Sequence, residues 1–185
     1  MKLQLSLTTA LMLTTAVAMA NCGNQKVQNN QAATTDAIQQ EANDTLEDRP
    51  MAPDFELTDI NGKQFKLSSL RGKIVVIDFW GSWCGWCVKG MPEMKKYYEK
   101  YKGKMEIVGV DCGDTKEQWK AAVSNLALPW IHVYNPKGAG DITQEYGIQG
   151  FPTKFIVGKD GKLITFVIGE DPAFYTTLDE VMEKE

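Results

Sequence analysis

The chain has 185 residues, 43% of them hydrophobic and 24% charged, enough apolar content for one domain with its own core and too much for a disordered chain. Its 20 Lys and Arg against 24 Asp and Glu give a formal charge of -4. There is no basic cluster, which argues against nucleic acid or an anionic membrane surface as a partner.

Residues 1–21 read as an export signal: Lys2, then an uncharged run of leucines and alanines with four threonines, then small residues before Asn21 and Cys22. The threonines and the lack of a basic stop-transfer cluster argue against a permanent span. The exit reads two ways. Ala18-Met19-Ala20 is an A-x-A site that would leave a soluble chain starting at Asn21. Alternatively, Cys22 is the acylated first residue of a bacterial lipoprotein, although Asn21 stands where the lipoprotein pattern has Gly, Ala or Ser. Residues 22–49 carry almost no large apolar side chain and cannot offset the entropy of ordering. They form a flexible tether with a root-mean-square span of about 30 Å. The folded domain is expected over residues 50–185.

Within it, residues 54–67 predict a hairpin turning at Asn61-Gly62. Residues 73–80, short and rich in β-branched side chains, predict a buried strand. Residues 84–101 place Val88, Met91, Met94, Tyr98 and Tyr101 on one helix face, with a kink expected at Pro92. A strand over 104–111 follows, then a helix striped by Trp119, Ala122, Val123 and Leu126. A short strand over 130–134 and a short helix over 140–148 come next. A hairpin turning at Asp160-Gly161 and a closing helix with Phe174, Leu178, Val181 and Met182 on its apolar face complete the order. This alternation predicts an α/β fold, a mixed central sheet flanked by helices on both faces, with an N-terminal β-hairpin extension.

Two of the four cysteines, Cys84 and Cys87, stand three apart where a buried strand gives way to a helix. Positions i and i+3 of a helix lie about 5–6 Å apart, within the roughly 4.4–6.8 Å between Cα atoms that a disulfide needs. The bond can therefore open and close over a fixed backbone. Unpaired N–H groups and the partial positive charge of the helix N-terminus stabilise a thiolate at Cys84. Cys84 is then the nucleophile and Cys87 the resolving thiol. Zinc would need two further ligands, and the chain has one histidine and no second C-x-x-C. A structural disulfide closing so small a loop would constrain the unfolded chain little. Redox chemistry is the reading that uses the pair, the strand and the helix together, and no metal or other cofactor is implied.

At these residues the chain resembles a known family. "IDFWGSWCGWC", residues 77–87, is similar to the thioredoxin pattern "VDFWAxWCGPC", with Gly85-Trp86 in place of Gly-Pro. Ala52-Pro53-Asp54-Phe55, the stretch 67–73 and "YGIQGFPT" ending at Thr153 resemble the exported TlpA/ResA-type thioredoxin-like proteins. The resemblance covers residues 50–185 and implies a thioredoxin-like fold and thiol-disulfide oxidoreductase activity. It implies that Asp78 is the buried acid that exchanges a proton with Cys87, burial raising its pKa into a useful range. It implies a cis-proline at Pro152, with Phe151 before it, beside the disulfide and facing an extended substrate segment. Trp83 would lie over the site, Trp86 would be a partly exposed contact surface, and Trp80 would pack inside. The plain alternatives are a solvent-facing strand Asp78 and an ordinary loop Pro152.

Such proteins commonly carry an acid three residues after the second cysteine. Here that position is Gly90, so a haem-protein substrate does not carry over. Cys112 has no counterpart and reads as a half-buried small residue, with an adduct or regulatory site as the sharper alternative. His132 reads as structural. The expected partners are exported proteins with disulfides and a membrane electron donor, and the chain is expected to be a monomer in the bacterial cell envelope, in the periplasm or lipid-anchored. The rival readings are an oxidase or isomerase, a peptide-binding holdase, and a peroxiredoxin, the last disfavoured because Gly81 and Ser82 stand where Pro and Thr would precede the nucleophile.

Overall fold

The computed structural model describes residues 48–184. The export signal over 1–21, the lipidation candidate Cys22 and all but the last two residues of the 22–49 tether lie outside the described residues. Seven strands form one sheet: β1 (Glu56–Asp59), β2 (Gln64–Lys66), β3 (Ile74–Trp80), β4 (Met105–Cys112), β5 (Ile131–Asn135), β6 (Thr153–Val157) and β7 (Leu163–Ile168). Three α-helices are interleaved, α1 (Gly85–Lys100), α2 (Lys116–Asn125) and α3 (Pro172–Lys184), and a short 3-10 turn covers Leu67–Leu70.

The spatial order is β2-β1-β5-β4-β3-β6-β7. β3, an unbroken apolar run around Asp78, is buried along its whole length, as a central strand covered on both faces must be. It pairs parallel with β4 and antiparallel with β6. The expected hairpin β1–β2 adds to the sheet through β5. Its turn residue Gly62 has φ of +82°, a conformation that costs glycine nothing.

The mixed sheet and its flanking helices are as expected, but the helices gather on one face. Met91 and Met94 of α1, Trp119 and Val123 of α2, and Phe174 and Leu178 of α3 share one core cluster with Val76, Trp80 and Ile107. The other cluster is built on Val75, Ile77 and Phe79, and is closed by Phe55, Leu67, Ile142 and Tyr146. The helix expected over 140–148 is a set of turns. Ile142 and Tyr146 have helical spacing, and Tyr146 N donates to the Ile142 carbonyl at 3.2 Å. One turn is all they hold, because helix nucleation is costly and little sequence is left to propagate it. Pro92 lies midway in α1, which continues past it to Lys100.

Candidate active site

Residues 81–84 turn the chain from β3 into α1. Asp114 holds this loop: its carboxylate accepts hydrogen bonds from Ser82 N at 2.7 Å and from Ser82 Oγ at 2.8 Å. Trp83 Nε1 donates to the Cys112 carbonyl at 2.9 Å, which fixes the indole over the end of β4. Gly81 lies beneath that indole. A Cβ there would sit 2.3 Å from Trp83 Nε1.

Cys84 is the N-cap of α1, and its Sγ accepts a hydrogen bond from Cys87 N at 3.1 Å. The donor is one of the N–H groups that a helix start leaves unpaired. Cys84 and Cys87 form a disulfide with Cα atoms 5.3 Å apart, as their spacing allows. Both sulfur-bearing residues are buried, whereas Trp83 and Trp86 beside them are 57% and 60% exposed. Lys89 Nζ stands 4.7 Å from the centre of the Trp86 ring. Trp80 is fully buried.

The Phe151-Pro152 peptide is cis. Thr153 Oγ1 donates to the Gly150 carbonyl at 2.7 Å and Gly169 N to the Pro152 carbonyl at 2.7 Å, holding this loop at the head of β6. Phe151 meets Trp83 edge to face, with ring centroids 5.2 Å apart. The proline loop and the cysteine loop, some 65 residues apart in sequence, are therefore in contact.

Asp78 is 1% exposed, which excludes the solvent-facing alternative. Burial raises its pKa to about 6; Lys154 opposes that rise and Glu170 adds to it. Its Oδ1 has no hydrogen-bond partner. Side chains alternate across a strand, so Asp78 shares the face of Val76 and Trp80, which pack in the same cluster as Cys87.

Sequence reasoning missed the charges around Asp78. Lys154 is its register partner on β6, and Lys154 Nζ lies 2.6 Å from Glu170 Oε2. Tyr175 donates to Glu170 Oε1 at 3.0 Å. A cleft of about 490 Å³ opens here, with Trp86, Gly90, Glu93, Glu170 and Tyr175 on its wall. The available signal was a lone lysine within the apolar strand "TKFIV", opposite a lone aspartate within "IVVIDFW".

Cys112 is buried and its thiol pKa is pushed up by burial and by Asp111, so the small-residue reading fits and an adduct site does not. His132 lies between the Trp80 and Trp130 rings, and burial pulls its pKa down to about 4. It is neutral at physiological pH.

Residues 49–166 match the AhpC/TSA family. The chain belongs to this family. Among curated relatives, a thiol-disulfide oxidoreductase ResA of Bacillus thuringiensis subsp. konkukian is 40% identical over 134 residues, 72% of this chain and 75% of that one. The ResA of Bacillus thuringiensis strain Al Hakam is 42% identical over 120 residues, 64% of this chain and 68% of that one. A thiol:disulfide interchange protein from Bacteroides sp. matches in structure with a TM-score of 0.66 at 29% identity, covering 73% of this chain and 90% of that one. The exposed lipoprotein thioredoxin Etrx1 of Streptococcus pneumoniae matches with a TM-score of 0.60 at 26% identity, covering 69% and 99%. With the thioredoxin-like fold and the Cys84–Cys87 disulfide at a helix start, this AhpC/TSA-family chain is a thiol-disulfide oxidoreductase.

Proposed function

We propose that the enzyme acts outside the cytoplasm and reduces disulfides of exported proteins through Cys84 and Cys87. The observation that carries the reading is the disulfide at the N-cap of α1, with a buried acid behind it on the cysteine face of the sheet. The Cys84 thiolate attacks a substrate disulfide, forming a mixed disulfide and releasing one substrate thiolate. Asp78 takes the proton of Cys87, whose thiolate attacks the Cys84 sulfur of the mixed disulfide. The second substrate thiolate leaves, so the substrate gains the two electrons that the enzyme dithiol loses. A dithiol donor must then reduce the enzyme.

Exposed Trp83 and Trp86 with Phe151 beside the cis-Pro152 supply an apolar rim for an extended substrate segment. The signal-like sequence over 1–21 supports an envelope location, and Etrx1 of Streptococcus pneumoniae, similar in structure, is an exposed lipoprotein. Cys22 as the acylated first residue would tether the domain to a membrane near its electron donor, with the domain working as a monomer.

Insulin reduction by wild type, Cys84→Ser and Cys87→Ser tests the mechanism. Cys84→Ser should lose all exchange. Cys87→Ser should accumulate mixed disulfides through Cys84. Activity in both variants would end the redox reading, and turnover of hydrogen peroxide in place of disulfides would favour the peroxidatic one.

A further inference from the structure

Glu170 belongs to the loop between β7 and α3, yet its carboxylate ends against the first half of α1. A Cβ on Gly90 would lie 2.3 Å from Glu170 Oε2 and 2.5 Å from Oε1. Only glycine at position 90 leaves that space open. There the carboxylate accepts from Lys154 Nζ at 2.6 Å and from Tyr175 Oη at 3.0 Å. The Lys154 side chain is 3% exposed and that of Glu170 16%, so water screens the pair weakly. Lys154 stands opposite Asp78 in the β3–β6 register, and its cation favours the ionised form of that acid.

We propose that Glu170 is a positioning residue for the Cys87 half-reaction: seated in the space beside Gly90, it compensates the charge of Lys154 and so leaves Asp78 free to carry a proton to and from Cys87. The inference rests on the reading of Asp78 as the proton partner of Cys87. The groups that face Asp78 fit this account. They are Lys154 from β6 and Glu170 and Tyr175 from the approach to α3 and its first turn, with Cys87 of α1 in the cluster on the same face of the sheet; the Cys112 thiol of β4 lies in the cluster on the other face. Burial and the Glu170 charge hold the Tyr175 phenol protonated, so it is uncharged and donates to Glu170 Oε1. Lys154 and Glu170 are thus the charges that set the proton affinity of Asp78. Glu93, which also acts on Tyr175, forms an exposed pair with Lys96.

The test is the carboxyl titration of Asp78 by carbon-13 NMR in the oxidised full chain, where Cys84 and Cys87 do not titrate. Wild type should show a midpoint at about 6. Glu170→Gln keeps the shape of the side chain and an acceptor oxygen for Lys154, and its amide nitrogen can donate to Tyr175 Oη, but it leaves Lys154 uncompensated. The midpoint should fall by about 1 unit, the low end of what a nearby unopposed cation does to a carboxylate. Gly90→Ala, by evicting the Glu170 carboxylate, should move it the same way, and Lys154→Gln should move it up. The pH at which the Cys87-dependent step reaches half its maximal rate should follow each midpoint. Identical midpoints in wild type, Glu170→Gln and Gly90→Ala would overturn the inference while leaving insulin turnover untouched. A wild type that titrates as expected but fails to turn over insulin would instead overturn the function on which the inference rests.

Discussion

Trp83 and Phe151 meet edge to face with their planes at 81°, so the residue before the first cysteine and the residue before the cis-proline brace each other. The indole is held from its other side by the Cys112 carbonyl. An exposed aromatic side chain fixed at two points presents a contact surface at low entropic cost, because little freedom is left to lose on binding.

Gly81→Ala tests that bracing. The new Cβ would stand 2.3 Å from the indole nitrogen and 3.0 Å from the Cys112 carbonyl. Trp83 must swing away and lose both its hydrogen bond and Phe151. The Cys84–Cys87 disulfide should still form, while kcat/KM for insulin falls about tenfold, the equivalent of about 1.4 kcal/mol for one hydrogen bond and one aromatic contact. Tryptophan fluorescence should report the displaced ring, and unchanged kcat/KM would remove Trp83 from the substrate surface.

Asp78 sets stability against rate. An acid whose folded-state pKa lies above its unfolded value binds its proton more tightly when folded. The stability this gives is complete below the unfolded value of 3.8 and is lost as pH rises to about 6. By pH 7 the loss is about 3 kcal/mol. Oxidised Asp78→Asn should therefore be more stable than wild type by up to that amount at pH 7.5, and the gap should narrow towards pH 4. Denaturant unfolding at the two pH values measures it. Comparison with the variant cancels the other buried titrations, Asp111 with its pKa raised to about 8 and His132 at about 4. The same variant should slow the Cys87-dependent step near neutral pH, and unchanged turnover would remove Asp78 from the mechanism.

The succession of strands along the chain, both glycine hairpins and the cysteine pair were legible because each is a local pattern: alternation, a two-residue turn signal, a spacing of three. Asp78 was singled out through the resemblance to the thioredoxin pattern, and as a charge inside an apolar strand it also stands out locally. Lys154 carried that signal too, and only the β3–β6 register shows that the two anomalies are one. Glu170 carried none, and Gly90 stood out only as the place where similar proteins commonly have an acid. That the acid in the loop fills the space this glycine leaves open is visible only in the fold. The turns over 140–148 were misread for the opposite reason, a helical spacing with too few residues to sustain a helix.

Ala127 offers a stability test away from the site. It follows the end of α2 with φ of +47°, a conformation that strains any residue with a Cβ. The surrounding bonds show why it is held there: Leu128 N donates to the Val123 carbonyl at 3.1 Å, and both side chains join the core, the pattern of a helix closed by a left-handed residue. Ala127→Gly should raise stability by about 0.5–1 kcal/mol in denaturant unfolding, net of the larger entropy of an unfolded glycine. A loss of stability would show that the strain is absent.

The N-terminus is testable by mass. The mature chain from a bacterial host should begin at Cys22, carry acyl chains and fractionate with membranes. A soluble product beginning at Asn21 would exclude the anchor and leave the catalytic argument as it stands.

The direction of exchange follows from what surrounds the thiols. A dithiol is a strong oxidant when its reduced form is over-stabilised by a very acidic nucleophile, and a reductant when its disulfide is comparatively stable. The residues between the cysteines are Gly85 and Trp86, with no charge to favour the thiolate beyond the helix N-terminus. Lys89, further along α1, lies over the Trp86 ring, and the Lys154 cation is paired with Glu170. Behind the pair, Asp78 becomes an anion above pH 6, and a second negative charge on that face of the sheet is opposed by like-charge repulsion. Both effects weaken the reduced form. The potential should therefore lie nearer the thioredoxin value of about -270 mV than the oxidising extreme of about -120 mV. Equilibration against glutathione measures it, and a value above about -180 mV would reassign the enzyme to oxidation or isomerisation. Replacing Trp86 by His should place a titratable cation beside Cys84 and raise the potential, most strongly at acidic pH where the imidazole is charged.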